Sequence, residues 1–126
     1  MDEIKNIIDD MGIDAFESDI KIAAIAVVSD SGDLVYQTSN WDLINQTSVI
    51  LGVIKGERSF VLSEVEYSVV DANSEGIIGT SDKRMGHILL TFFQGGVLVS
   101  YAMPQADPHR ALSFLKSYTM KLNGKL

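Results

Sequence analysis

His87 and His109 are the two side chains here that ordinarily change charge near neutral pH, so acid–base chemistry would have to start from them. A hydrolytic triad also needs an activated serine beside the imidazole. No Gly-x-Ser-x-Gly elbow supplies one. The chain has no cysteine, which removes disulfides, thiolate metal sites and a thiolate nucleophile together. Asp30 and Asp33 flank a tight turn, but a hard cation such as calcium takes about six or more oxygens, so a solvated turn is the better reading. Asp9 and Asp10 are successive residues of a helical pattern and diverge, so they do not share a proton. Glu64 and Glu66 share a parity with Ser68 and read as a solvent-facing stripe. Gly95-Gly96 stands between strands rather than before a helix, so it is no phosphate loop. Asn45-Gln46-Thr47 matches a glycosylation acceptor but falls inside a predicted helix, where chance explains it. These readings predict no enzyme, no metal and no cofactor.

Two cationic pairs remain. Lys83-Arg84 lies at a strand connection within Thr-Ser-Asp-Lys-Arg-Met-Gly-His. It reads either as a charged loop or as a basic contact that orients an acidic partner. His109-Arg110 opens the last helix, where cations meet the positive end of the helix dipole. The overall charge is −7, unevenly spread. Residues 1–20 set Asp2, Glu3, Asp9, Asp10, Asp14, Glu17 and Asp19 against Lys5, a net of −6. Residues 107–126 set Arg110, Lys116, Lys121 and Lys125 against Asp107, a net of +3. The two ends attract if they are adjacent. So acidic a chain predicts no nucleic-acid partner, because phosphate neutralisation supplies most of that affinity. No run approaches the roughly 20 apolar residues of a membrane span, and no secretion signal is visible, so a cytoplasmic place is the default expectation.

The elements that must position these groups follow from periodicity. Ile4, Ile7, Ile8 and Met11 set a helix over 3–16. Residues 20–29 read as a strand buried on both faces, and Asp30–Asp33 turns it into a second strand at Leu34–Thr38. A middle helix spans 41–55, with Asn40 as its N-cap, Gly56 as its stop and Trp41 as an anchor. From Ser59 the period becomes two. Phe60–Leu62, Val65–Asp71, Gly76–Thr80, His87–Phe93 and Val97–Met103 are five strands joined by short breaks, which implies antiparallel pairing. Asp107 caps a final helix over 108–122 that starts at Pro108 and stops at Asn123-Gly124. The fold class is α/β of the α+β kind, in one domain spanning 1–126.

This order, with its local strings, resembles the profilin family. Ile7-Ile8-Asp9-Asp10-Met11 looks like the family's first helix. Ala23-Ala24-Ile25-Ala26 and Gly32-Asp33-Leu34-Val35-Tyr36 look like its first hairpin. Phe60–Val70 is similar to its third and fourth strands, and Gly76–Gly86 to its next strand and basic loop. Gly96–Met103 and Pro108–Leu122 resemble its last strand and helix. The likeness spans nearly the whole chain without an invariant signature, as in a remote, archaeal profilin-like member.

The resemblance implies a central antiparallel sheet of about six to seven strands. The N- and C-terminal helices pack on one face and the middle helix on the other. It implies a monomer that binds actin and regulates the cytoskeleton without catalysis. The family's actin face falls at Ser68, Val69, Asp71, Thr80, Lys83, Arg84 and His87 on the sheet, and at His109, Arg110 and Ser113 on the helix. Asp71 stands where the family usually has a basic residue, so a contact there changes sign. The family's groove for proline-rich peptides is built from aromatics, whereas the matching positions here are Ile4, Ile7, Ser117 and Asn123. Proline-rich peptide binding is therefore expected to be weak or absent. Phosphoinositide binding is expected to be weak too, with Lys83 and Arg84 as its local contributors.

The competing reading is a roadblock-family dimeric scaffold for small GTPases, which shares the helix–hairpin–helix–sheet–helix order. Its pattern has three strands after the middle helix, against the five counted here. A small-molecule sensor domain of related topology would need a cavity.

Overall fold

The computed structural model describes residues 2–126. Helix α1 spans Asp2–Glu17, then β1 Ile22–Ser29 and β2 Leu34–Gln37 form a hairpin. Helix α2 spans Thr47–Ile54. Five strands follow: β3 Ser59–Leu62, β4 Val65–Asn73, β5 Gly76–Thr80, β6 His87–Phe93 and β7 Gly96–Ala102. Helix α3 is Pro108–Thr119, continued by a 3-10 turn at Met120–Leu122. All seven strands join one sheet in the order β2-β1-β7-β6-β5-β4-β3, every pair antiparallel. The five separate strands after α2 depart from the three-strand roadblock pattern.

Alternation along the strands feeds two cores. Ile25, Val27, Ile78, Leu89 and Leu98 face α1 and α3, meeting Ile8, Met11, Ala111 and Leu115. Ala26, Val28, Ile77, Ile88 and Leu90 face the other way, onto Leu43, Ile50 and Val53. A sheet buried on both sides explains why β1 reads as a continuous apolar run. The terminal helices thus share one face and α2 takes the other. The opposite charges of the two ends meet where Lys125 Nζ lies 2.9 Å from Glu3 Oε2. That hydrogen bond, with the attraction of the ammonium, holds the Glu3 carboxyl below its usual range.

The middle helix is shorter than the expected 41–55, and Asn40 is not its cap. Asn40 accepts from Thr38 Oγ1 at 2.7 Å and donates to the Ala23 carbonyl at 2.7 Å, pinning the chain to β1. Gln37 Oε1 accepts from the Leu43 amide at 2.9 Å. Side chains thus hold the backbone here, and 40–46 stays outside the helix. Gln46 sits at the N-cap position, but its side chain reaches the Asp42 carbonyl and the Ser63 amide instead. The helix does stop at Gly56, at φ +116°, where the Gly56 and Glu57 amides bond the Val53 and Gly52 carbonyls. That double closure is the Schellman pattern.

Other boundaries moved for local reasons. The first strand starts at Ile22 rather than residue 20, because Asp19 and Lys21 are both left-handed, at φ 55° and 67°. The turn after β3 places Ser63 and Glu64 at φ 51° and 69°, a type I′ geometry normally given to Asn-Gly. The Gln46 side chain holds it, accepting from Ser63 N.

Candidate protein-binding face

A row of polar side chains crosses three strands beside the start of α3. Ser68 pairs with Thr80, and Thr80 with His87, so all three point to the α1/α3 side of the sheet. Thr80 Oγ1 and His87 Nδ1 are 2.9 Å apart. The other ring nitrogen, Nε2, is buried without a partner among the described residues, as is the Ser100 hydroxyl. His87 and Ser100 face the same side, since Ser100 pairs with Leu89 two residues along β6.

Asp71 joins this row through an irregularity. The register of β4 against β5 slips between Val69 and Asp71, leaving Val70 as the extra residue. Pairing with Ile78 then returns Asp71 to the side of Ser68. Simple alternation would have put residues 68 and 71 on opposite faces. There Asp71 Oδ2 meets His109 Nε2 at 3.3 Å. The helix start is set by Asp107, whose side chain accepts from the amides of His109 and Arg110 at 3.1 and 3.3 Å, with Pro108 in the first turn. Two turns on, Lys116 Nζ bonds Glu75 Oε1 at 2.8 Å, and exposed Ser113 lies between. Glu75 and Lys116 were not singled out in the sequence, because their pairing arises only once α3 packs across β6 and β5 and reaches the β4–β5 turn.

The basic loop borders this face. Lys83 and Arg84 are exposed on the β5–β6 connection, and neither forms an ion pair among the described residues. The loop is tied nonetheless. Ser81 N donates to Gly86 O at 3.0 Å, Ser81 Oγ accepts from Lys83 N at 3.2 Å, and Tyr101 Oη donates to the Met85 carbonyl at 2.6 Å. Gly86, at φ +112°, lies against the Tyr101 ring, where a Cβ would come within 2.5 Å of it. Between this loop and the segment before α3 is a cavity of about 370 Å³, lined by Thr80, Arg84, His87, Pro104 and Gln105 among others.

Two expected members lie elsewhere. Val69 pairs with Gly79 and packs into the α2-side core, away from Ser68. Arg110 turns from the sheet and donates from Nη2 to the Ser18 carbonyl at 3.0 Å, beside Asp19. The Asp19 carboxyl is held low chiefly by its hydrogen bond to Lys21, with Arg110 a lesser contributor.

The positions matching a proline-peptide groove differ in burial and in partners. Ile4 is sealed in the core at 3% exposure, since the first helix must bury its apolar stripe against the sheet. Ile7 is half-buried against the same core. Exposed Ser117 donates to the Phe114 carbonyl, and Asn123 accepts from Gln94 N at 2.7 Å, tying the C-terminal segment to the β6–β7 turn. What α3 does present is Phe114 and Tyr118, with ring centres 5.4 Å apart and the Lys121 ammonium 4.4 Å from the Tyr118 centre. Their four-residue spacing was the available signal.

No family model matches the chain. It is similar to Loki profilin-2 of Lokiarchaeum sp. (strain GC14_75), 29% identical over 132 residues and 96% of each chain. It is similar to Odin profilin of Odinarchaeota yellowstonii (strain LCB_4), 33% identical over 92 residues, covering 71% of this chain and 76% of that one. Among solved structures it matches LokiProfilin2 from a complex with rabbit actin, at a TM-score of 0.88 and 28% identity, over 100% of this chain and 99% of that one.

Proposed function

This chain belongs to the profilin family, and from that premise we propose that it binds actin monomer and regulates its assembly by contact, without catalysis. The observation that carries this reading is the half-buried polar row on β4–β6 beside α3, bordered by exposed Lys83 and Arg84, which form no ion pair among the described residues. Family relatives solved on actin support the choice of partner.

The contact residues are Ser68, Asp71, Thr80, His87, His109 and Ser113, with Lys83 and Arg84 at the rim. Asp71 comes to the partner already in contact with His109 Nε2, at 3.3 Å. Lys83 and Arg84 attract an acidic patch on actin and orient its approach. Val69 and Arg110 act indirectly, through the core and through the α1 end. Proline-rich peptides bind weakly or not at all, since Ile4 offers no groove wall. Phosphoinositides bind weakly, with Lys83 and Arg84 as local contributors. The chain works as a monomer in the cytoplasm, where such a partner resides.

The test is actin-monomer binding by sedimentation, with Lys83→Glu/Arg84→Glu as the variant. Affinity is expected to fall by about tenfold or more, mostly through a slower on-rate that high salt masks. An unchanged affinity would reject this face.

A further inference from the structure

A second cavity lies at the other end of the sheet. About 670 Å³ opens between the C-terminal half of α1 and the β1–β2 edge. Its walls include Ile8, Gly12, Ile13, Phe16, Ile22 and Ala24. Helix α1 has already buried Ile4, Ile8, Met11 and Ala15 in the core, yet Ile13 remains 58% and Phe16 88% exposed. An exposed phenylalanine beside an apolar trough loses favourable burial unless something covers it. Gly12 adds depth, since a Cβ there would meet nothing within 4 Å.

The rim says what covers it. Asp9 and Glu17 line the trough, and Asp10, Asp14 and Asp19 stand on the same helix or just past its end. The local cations are Lys5 and Lys21, which lie 2.8 Å from Asp9 and Asp19 respectively, and Arg110, whose guanidinium donates to the Ser18 carbonyl past the end of the helix. Glu17 forms no ion pair among the described residues. An apolar floor with a negative rim complements an amphipathic segment whose apolar side chains are flanked by Lys or Arg. We infer that the α1/β1–β2 groove docks such a basic amphipathic segment from a second protein. No residue lining it belongs to the β4–β6 face, so both surfaces can be occupied at once.

The probe is a labelled synthetic peptide with Leu and Phe at helical spacing among Lys and Arg. One control replaces Lys and Arg with Glu, and the other replaces Leu and Phe with Gln. Anisotropy measures affinity and amide NMR shifts locate the site. The basic amphipathic peptide is expected to bind at least about tenfold tighter than either control, and more weakly as salt rises. Shifts should centre on Gly12, Ile13, Phe16 and Ala23. Gly12→Phe should fill the trough and weaken binding about tenfold; should it misfold, Phe16→Ser, at an exposed position, carries the same expectation. Lys83→Glu/Arg84→Glu should leave peptide binding unchanged, which separates this outcome from the actin test. The inference is overturned if the controls bind equally, if no peptide binds, or if the shifts map elsewhere. It is equally overturned by a concentration-dependent dimer that Phe16→Ser dissolves, which would make the groove a self-interface.

Discussion

The two surfaces at opposite ends of the sheet are built on different principles. The β4–β6 face is polar, and its groups are pinned in pairs: Thr80 with His87, Asp71 with His109, Glu75 with Lys116. The α1 groove is apolar, and its leading side chain, Phe16, is 88% exposed. A pinned polar face is pre-organised and gives orientation at little entropic cost. An apolar trough gives adhesion with less demand on register. The difference teaches that one sheet can serve a geometrically exacting partner at one end and a loosely specified one at the other.

The largest expected effect breaks the comparison by removing what both ends share. Leu89, fully buried on the central strand β6, supports the core beneath α1 and α3. Leu89→Ala should cost about 2–5 kcal/mol in chemical denaturation. Actin and peptide binding should then decline together as the folded fraction falls. If one survives at full strength while the other fails, the two ends are not mechanically one body.

A smaller change should separate them. Gly86→Ala puts a Cβ against the Tyr101 ring at a left-handed φ, and about 1–3 kcal/mol of strain is expected in the β5–β6 loop. Actin affinity should fall while the groove's peptide affinity holds. Equal losses on both sides would argue that the loop communicates across β7.

The smallest effect belongs to neither surface. Glu3 is held below its usual carboxylate range, first by the hydrogen bond to Lys125 and then by its charge. A lowered folded value means the contact stabilises above the ordinary value of 4.5 and is lost as pH falls through the folded one. Melting curves of the natural chain and Glu3→Gln should differ at neutral pH and converge in acid. Parallel curves throughout would show that the Lys125 tie adds nothing.

Much of this was legible in advance, and the rest failed for identifiable reasons. Strands were readable because period-two alternation is local, and α3 because Asp107-Pro108 is a local cap. The start of α2 was not, because Asn40, Gln37 and Gln46 spend their side chains on distant backbone. The extra residue at Val70 in β4 was invisible, so the reason Asp71 shares a side with Ser68 was too. Val69 and Arg110 carried plausible types at plausible positions, yet their neighbours in space, Gly79 and Ser18, turn them away. Phe16 went unread for the opposite reason. A phenylalanine near the end of an amphipathic helix is presumed buried, and only the packing shows that it is not.

The adjacency of β1 and β7 has a consequence for synthesis. The middle of the sheet is closed by residues 22–29 meeting residues 96–102. A nascent chain therefore carries an apolar β1 paired only to β2, with its other edge open, until residues 96–102 have been translated. Hydrogen-exchange protection on stalled ribosomal chains should appear abruptly once residue 102 clears the exit tunnel. Until then the strand's open edge is a hazard for neighbouring chains and a natural target for holdase chaperones.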